Sequence, residues 1–361
     1  MKLVSLERGD ERRVAAFVAS CPGAHLKQLV EWGEILVYDG TASIRLGVER
    51  DGALCASLAA YVRRIPISGA SFLSGARGPI LDFADRDALA LLLDGVRVAA
   101  ERHGAIHLRV DPDRTDDDGR LRDALLGAGL VHLEGKDWSS ITDPRVIMRV
   151  DLRPSEDDLL SRMRKTHRQH IRGAAQRGIV VREASSRDEL RVFHDLLRHT
   201  GTRKGFPVRD LPYFTGLWDR FVATDRGRLV VAERNGAIVG GVVVVVLGTK
   251  AWILYSASAP EAGKLYPNEP AWWEALRWGR GRGALSCDLG SSGTEWPPPA
   301  DSPGSMYLYK RGFRADALRL TGYYDLVFRP RAYRLFRLAE ERWLQEALDA
   351  VGALRRLGGR S

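Results

Sequence analysis

Glu233-Arg234-Asn235-Gly236-Ala237-Ile238 opens an apolar stretch, and Glu49-Arg50-Asp51-Gly52-Ala53-Leu54 opens another 184 residues earlier. Working outward from each hexapeptide, the same order of signals recurs. After the first come a long helical segment and then Gly104-Ala105-Ile106-His107-Leu108-Arg109-Val110-Asp111. After the second come another helical segment and Gly283-Ala284-Leu285-Ser286-Cys287-Asp288-Leu289. Gly129-Leu130 closes one copy and Gly312-Phe313 the other. Solenoid units run about 20–50 residues, so this longer repeat reads as two copies of one α/β domain facing each other across a cleft. Sites commonly form in such clefts.

The chain has 361 residues, enough for two full hydrophobic cores. Its 45% apolar and 28% charged residues are those of an ordinary globular protein. The formal charge of +9 favours polyanionic partners: RNA, nucleotide-phosphate substrates or an anionic membrane surface. The charged Met1–Arg13 segment has no apolar core of a secretory signal. The longest apolar run, Ala237–Leu247, is broken by Gly240 and Gly241 and falls short of the ~20 residues of a membrane span. Rich in Val, it reads as a buried strand. Cys21, Cys55 and Cys287 are widely spaced, with no metal-ligand pattern, and fit a reducing cytoplasm.

Residues 1–147 hold the first copy and 148–322 the second, with a strand and an Arg-rich helix at 323–361 expected to pack back on the first domain. In the first copy, strands are expected near 44–48, 54–63, 71–75 and 106–110, with a helix over 87–103. In the second, acids at Ser155-Glu156-Asp157-Asp158 suit a helix start, and that helix is expected to run to Gln176 and stop at Gly178. A helix over 188–200, strands near 229–233, 238–247 and 252–256, a helix near 270–281 and a strand at 286–289 follow. Residues 290–304, rich in Gly, Ser and Pro, read as a mobile loop.

Four places carry candidate chemistry. The segment 155–178 holds Arg164, Lys165, Arg168 and Arg172 among eight basic residues, with no acid after Asp158. It is either a solvated helix face or a phosphate-binding surface, and the missing carboxylates favour phosphate. Lys310, within Tyr307-Leu308-Tyr309-Lys310-Arg311-Gly312-Phe313, reads as lying on a strand re-entering the core, where it could meet a developing oxyanion. Asp111 ends a strand, a usual place for an α/β site, although Asp before Pro also forms turns. Arg209 and Tyr213 share one loop and either clamp a phosphate or cap a helix. No HExxH, GxSxG, Walker or GxGxxG motif is present.

The two copies resemble doubled GNAT-like acetyltransferase domains. In such domains a Gly-rich turn before the central helix holds the pyrophosphate of coenzyme A. Here the corresponding turn is Lys264-Leu265-Tyr266-Pro267-Asn268-Glu269-Pro270, without glycine and with two prolines that lack the N–H a phosphate needs. Coenzyme A is therefore not expected there, and the turn at Arg77-Gly78-Pro79 offers little more.

The whole chain resembles the Fem family of aminoacyl-tRNA-dependent peptidyltransferases, in its short FemX form. The marks are Glu31-Trp32-Gly33-Glu34, Arg77-Gly78-Pro79, Val110-Asp111-Pro112, Met163 to Ala174, Asp288-Leu289-Gly290 and Tyr309-Lys310-Arg311-Gly312-Phe313. The long coiled coil of the FemA and FemB branch has no room between Leu159 and Gly178. The resemblance implies an aminoacyltransferase that forms an amide from aminoacyl-tRNA to an amine of a peptidoglycan precursor. Lys310 would stabilise the tetrahedral intermediate and Asp111 would sit near the acceptor amine. Arg209 and Tyr213 would contact the precursor, with Tyr309 and Tyr266 as further substrate contacts. The basic helix and the Arg-rich tail would hold the tRNA. No metal or other cofactor is implied, and a cytoplasmic monomer with peripheral membrane contact is expected. Two departures stand out: relatives carry a lysine where Leu36 stands, and an aromatic and a base where Ala262-Gly263 stands. They leave open a small amine acceptor, as in natural-product pathways. An acyl-CoA-dependent acyltransferase and a non-catalytic tRNA-binding protein are the rival readings.

Overall fold

The computed structural model describes residues 1–65, 69–133, 144–291, 296 and 306–340. The chain opens with β1 (Lys2–Ser5), α1 (Glu11–Ser20) and a short α2 (Val30–Leu36). β2 (Ser43–Arg50), β3 (Ala53–Arg64), β4 (Ser71–Gly75) and the two-residue β5 (Ile80–Leu81) follow. Then come α3 (Arg86–Arg102), β6 (Ala105–Val110), α4 (Gly119–Gly127) and β7 (Val131–His132). The second run begins with β8 (Val146–Asp151), α5 (Glu156–Arg162), α6 (Lys165–Arg172), β9 (Val180–Glu183), α7 (Arg187–Lys204) and α8 (Leu211–Leu217). It continues through β10 (Gly227–Arg234), β11 (Ala237–Leu247), β12 (Lys250–Ser258), α9 (Asn268–Gly281) and β13 (Ser286–Ser291). It ends with α10 (Met306–Gly312), β14 (Asp316–Arg319), β15 (Tyr324–Val327) and a helix at 330–340.

The repeated hexapeptide is the same hairpin twice. Asp51-Gly52 and Asn235-Gly236 all have positive φ, between 51° and 82°, as a two-residue type I′ turn requires and as Asp, Asn and Gly accept most readily. The register also matches: Glu49 faces Leu54 and Glu233 faces Ile238, each beside a bulge one residue earlier, at Val48 and Ala232. In each copy a third antiparallel strand follows, then a helix, then a parallel strand: β4, α3 and β6 in one, β12, α9 and β13 in the other.

Two mixed sheets result, ordered β1-β2-β3-β4-β6-β15-β7, with β5 beside β3, and β14-β8-β13-β12-β11-β10-β9. β15, from the end of the chain, lies between β6 and β7 in the first sheet. α3 packs on the first sheet in one core with Leu58, Leu92 and Leu108. α9 packs on the second with Val230, Trp272 and Leu276. A third core joins the halves, bringing Leu29, Trp32 and Ile35 against Tyr213, Phe214 and Trp252. No helix among the described residues is long and apolar enough to cross a membrane.

Two expectations change. The helix over 155–178 is broken: Met163 and Arg164 are extended, with ψ of 158° and 139°. The break lets Met163 enter the core while α6 turns onto α10. Lys310 lies on α10, not on a strand. The aromatics around it resemble an alternating strand, but Tyr309 on α10 and Phe313 just past its end are four apart, and their rings meet at 5.6 Å. Within the expected mobile loop, 292–295 and 297–305 lie outside the described residues, as does the Arg-rich tail beyond 340.

Candidate active site

A cavity of about 280 Å³ opens between the two sheets. One wall comes from the first half: Lys27, Trp32, Leu36, Arg63 and Arg77. The other comes from the second: Arg209, Tyr213, Trp252, Tyr255, Asp288 and Ser291. Four cations against one carboxylate, between aromatic walls, suit an anionic ligand with an apolar or planar part.

Arg209 and Tyr213 both line this cavity. Tyr213 lies in the first turn of α8 rather than in the loop with Arg209, and there it is buried and takes a hydrogen bond from the Tyr255 hydroxyl (3.2 Å). The Arg209 guanidinium lies 4.9 Å over the Tyr213 ring, a cation–π geometry. The Arg209 carbonyl accepts from His194 Nε2 at 2.9 Å, which ties the loop to α7. Burial, reinforced by Tyr255, holds the Tyr213 phenol well above its ordinary pKa, so it stays a neutral donor. Leu36 also lines this cavity and contributes an apolar wall.

Asp111 stands just past the end of β6, behind Arg77. It accepts the Arg77 backbone N–H at 2.9 Å, and the Arg77 guanidinium approaches it at 3.5 Å. Arg77, in a left-handed turn after β4, also donates to the Pro144 carbonyl. The acid is thus first the anchor of a cavity cation.

Lys310 is 5% exposed and its ammonium donates to the Ser291 carbonyl. Burial lowers its pKa to about 8, with Asp288 pulling the other way. Asp288 in turn accepts the Gly290 N–H at 2.7 Å, fixing the turn that carries Ser291. Behind Asp288 runs a buried ionic chain: Arg149 lies 3.8 Å from it and 3.0 Å from Asp113, and Lys250 pairs with Asp113. Asp113 belongs to the first half and the two cations to the second. Sequence reasoning gave Asp288 no role, although a carboxylate inside the apolar strand Cys287-Asp288-Leu289 was the available signal.

The FemAB family model matches residues 10–237. The chain belongs to the FemAB family. It is 24% identical to the lipid II:glycine glycyltransferase of Staphylococcus aureus, over 94% of this chain and 97% of that protein. The solved structure of FemX superposes with a TM-score of 0.83 at 22% identity, covering 93% of this chain and 99% of that one. A tandem GNAT protein from the clavulanic acid biosynthesis pathway follows at a TM-score of 0.50 and 13% identity, over 90% and 98%. The fold is therefore that of FemX and of tandem GNAT proteins.

In this FemAB chain both central helices begin against the chain's own acids. Asp85 takes the Ala88 N–H at α3, and Glu269, buried in the first turn of α9, accepts from His170 Nδ1 at 3.0 Å. An acid thus stands in the first turn of α9 and at the cap of α3, where the positive helix end favours it.

The basic segment forms a groove of its own, about 550 Å³, lined by Lys165, Arg168, Arg172 and Arg177. Arg164, Lys165 and Arg172 are exposed. Arg168 differs, because its guanidinium donates to the Ser161 and Met163 carbonyls at 2.9 and 2.5 Å and so caps the broken end of α5. His167 Nε2 bonds the Tyr309 carbonyl (3.0 Å) and Arg164 N–H the Gly312 carbonyl (2.9 Å), so α6 is bolted to the helix of Lys310. Tyr309 itself faces inward, where burial and then Glu269 raise its phenol well above the ordinary range. Tyr266 is not among the residues lining the central cavity; it stacks on His170 of α6. Among the described residues no cluster of His, Cys, Asp and Glu suits a metal.

Proposed function

We propose that this FemAB chain moves an aminoacyl group from tRNA to an amine of a peptidoglycan precursor, forming an amide. One observation carries the reading: a buried Lys ammonium is held by the carbonyl of Ser291, a wall residue of an electropositive, aromatic-walled cavity, and its helix is bonded to the exposed cationic segment. The similarity to a lipid II:glycine glycyltransferase supports the precursor as acceptor.

The donor ester is already activated, so holding an amine against it supplies much of the rate. The precursor's anionic portion would lie against Arg209, Arg63 and Lys27, with its apolar part on Trp32 and Tyr213. The acceptor amine, once deprotonated, attacks the ester carbonyl. Asp111, on exchanging its ion pair with Arg77 for the acceptor ammonium, is the candidate to receive its proton, and a tRNA ribose hydroxyl is the other. Negative charge builds on the carbonyl oxygen and Lys310 meets it. Collapse breaks the ester C–O bond, and the tRNA hydroxyl leaves with a proton. Arg164, Lys165 and Arg172 hold the tRNA phosphates. The cleft between the halves 1–147 and 148–322 holds the acceptor and the second half carries the tRNA segment, in a cytoplasmic monomer that meets the membrane peripherally when its precursor is lipid-linked.

Leu36 favours a second acceptor class, a small amine, because it removes a cation from the cavity wall. A transfer assay decides between them. The purified protein is mixed with tRNA charged with labelled amino acids, peptidoglycan precursors and a panel of small amines, beside an RNase-treated control. RNase-sensitive label in a precursor supports the first reading and label in a small amine the second. Label that resists RNase, or none with any acceptor, refutes tRNA-dependent transfer.

A further inference from the structure

Tyr266 follows the turn at Pro260–Leu265 and precedes α9, with φ at +52°. A tyrosine keeps that left-handed conformation only where its surroundings over-determine it. Here they do. Its ring lies flat on the His170 imidazole, with centroids 3.7 Å apart and planes 9° from parallel. His170 is fixed by Glu269, and Arg177 donates to both the His170 carbonyl and the Leu265 carbonyl, stapling the turn to α6. Yet the tyrosine remains 41% exposed, and among the described residues no second ring packs on it.

A rigid aromatic thus stands partly in solvent next to Arg177, which bonds the Leu265 and His170 carbonyls and lines a groove with Lys165, Arg168 and Arg172. Cations that follow a backbone beside a flat π surface are how proteins hold single-stranded nucleic acid. We propose that the His170–Tyr266 pair is a stacking platform for an unpaired base of the donor tRNA's 3′ end, with the adjoining phosphates in the groove. This rests on the aminoacyl-tRNA reading and adds a binding site to it. Stacking gives a use to an aromatic that belongs to no buried core cluster and lines no part of the central cavity.

The test compares the full-length protein with Tyr266→Phe, Tyr266→Leu and Tyr266→Ala. The probes are tRNA and a short single-stranded RNA of the same 3′ sequence carrying 2-aminopurine near its end. The Phe variant should bind like the parent. The Leu and Ala variants should bind both RNAs about 5- to 150-fold more weakly, as expected when one base no longer stacks, with the salt slope unchanged because every phosphate keeps its cation. Fluorescence quenching of the 2-aminopurine on binding should appear with the parent and Phe proteins and vanish with Leu and Ala. Equal affinity and equal quenching in the folded Ala variant overturn the platform alone. A parent protein that binds neither RNA overturns the donor reading, and the platform with it.

Discussion

Lys310 keeps its ammonium in a buried place, and that sets a pH limit. With a pKa lowered to about 8, the charged form dominates below that pH and is lost above it. If the ammonium meets the oxyanion, kcat/KM should fall as pH rises through about 8. Lys310→Arg, whose guanidinium stays charged, should keep residual transfer without that fall; a fall that survives in the Arg variant would place the titration elsewhere. Lys310→Ala should cut transfer by orders of magnitude while leaving tRNA affinity near that of the parent. Arg209→Ala should act differently, raising KM for the acceptor roughly 10- to 100-fold, the worth of a hydrogen bond from a charged group, with a smaller change in kcat. Lys310 stood out in the sequence as a basic group between aromatic and apolar residues, and Arg209 and Tyr213, singled out by the resemblance, are brought together on the cavity wall. Asp288 and Arg77 were not legible, since their roles come from partners brought in by the fold.

At the scale of elements, two joints position the chemistry. The first is α6 on α10. A Cβ on Gly312 would stand 2.3 Å from the His167 ring, so Gly312→Ala should push the helices apart. We expect a loss of about 1–3 kcal/mol in stability, as for overpacking elsewhere, and a larger fall in transfer than in tRNA binding; unchanged thermal unfolding would show that the joint can yield. The second joint ties β15 to β6. Arg109 donates to both Asp325 oxygens at 2.8 Å and to Glu340 at 2.5 Å, all buried, and Tyr333 donates to Asp325 at 2.9 Å. Asp325→Ala leaves a buried guanidinium short of a partner, a change that typically costs about 3–5 kcal/mol, measurable by denaturant unfolding. The hairpins, the helices α3, α7 and α9 and their strands were readable from period and turn residues. The α5–α6 break was not, because no Gly or Pro marks it: it is made by Met163 entering the core and Arg168 capping the carbonyls it frees. The first strand and helix, β1 and α1, were likewise missed, as short elements with mixed polarity leave little periodic signal.

Across the whole molecule, charge divides the labour. Replacing Arg164, Lys165 and Arg172 with Gln should weaken tRNA binding and flatten its dependence on salt by about 0.7–0.9 in slope for each phosphate no longer neutralised. Arg168→Gln should instead show first as a loss of stability, given its carbonyl partners. An unchanged slope in the triple variant would return the groove to an ordinary solvated face. Between the halves, Asp113 is the hinge of the ionic chain. Burial alone would raise its carboxyl, but Lys250 and Arg149 prevail and hold it well below the usual range. A folded-state pKa depressed in this way contributes stability above the ordinary Asp value near 3.9, and loses it as pH falls toward the folded value. Acid unfolding should therefore begin at higher pH in the parent than its neutral-pH stability suggests, and Asp113→Asn should flatten the slope between about pH 4 and 2. The two-fold plan of the molecule was legible from one repeated hexapeptide, and so was the return of the last strand to the first half, from its place beyond the second copy; the ionic pairing of Asp113 with Arg149 and Lys250 across the halves was not, because nothing local records it. That last strand has a further consequence during synthesis. A ribosome has made more than 320 residues before β15 emerges, so the nascent first half must wait with β6 unpaired along one side. An open strand edge invites pairing with other chains, and this half carries that exposure until β15 arrives to cover it.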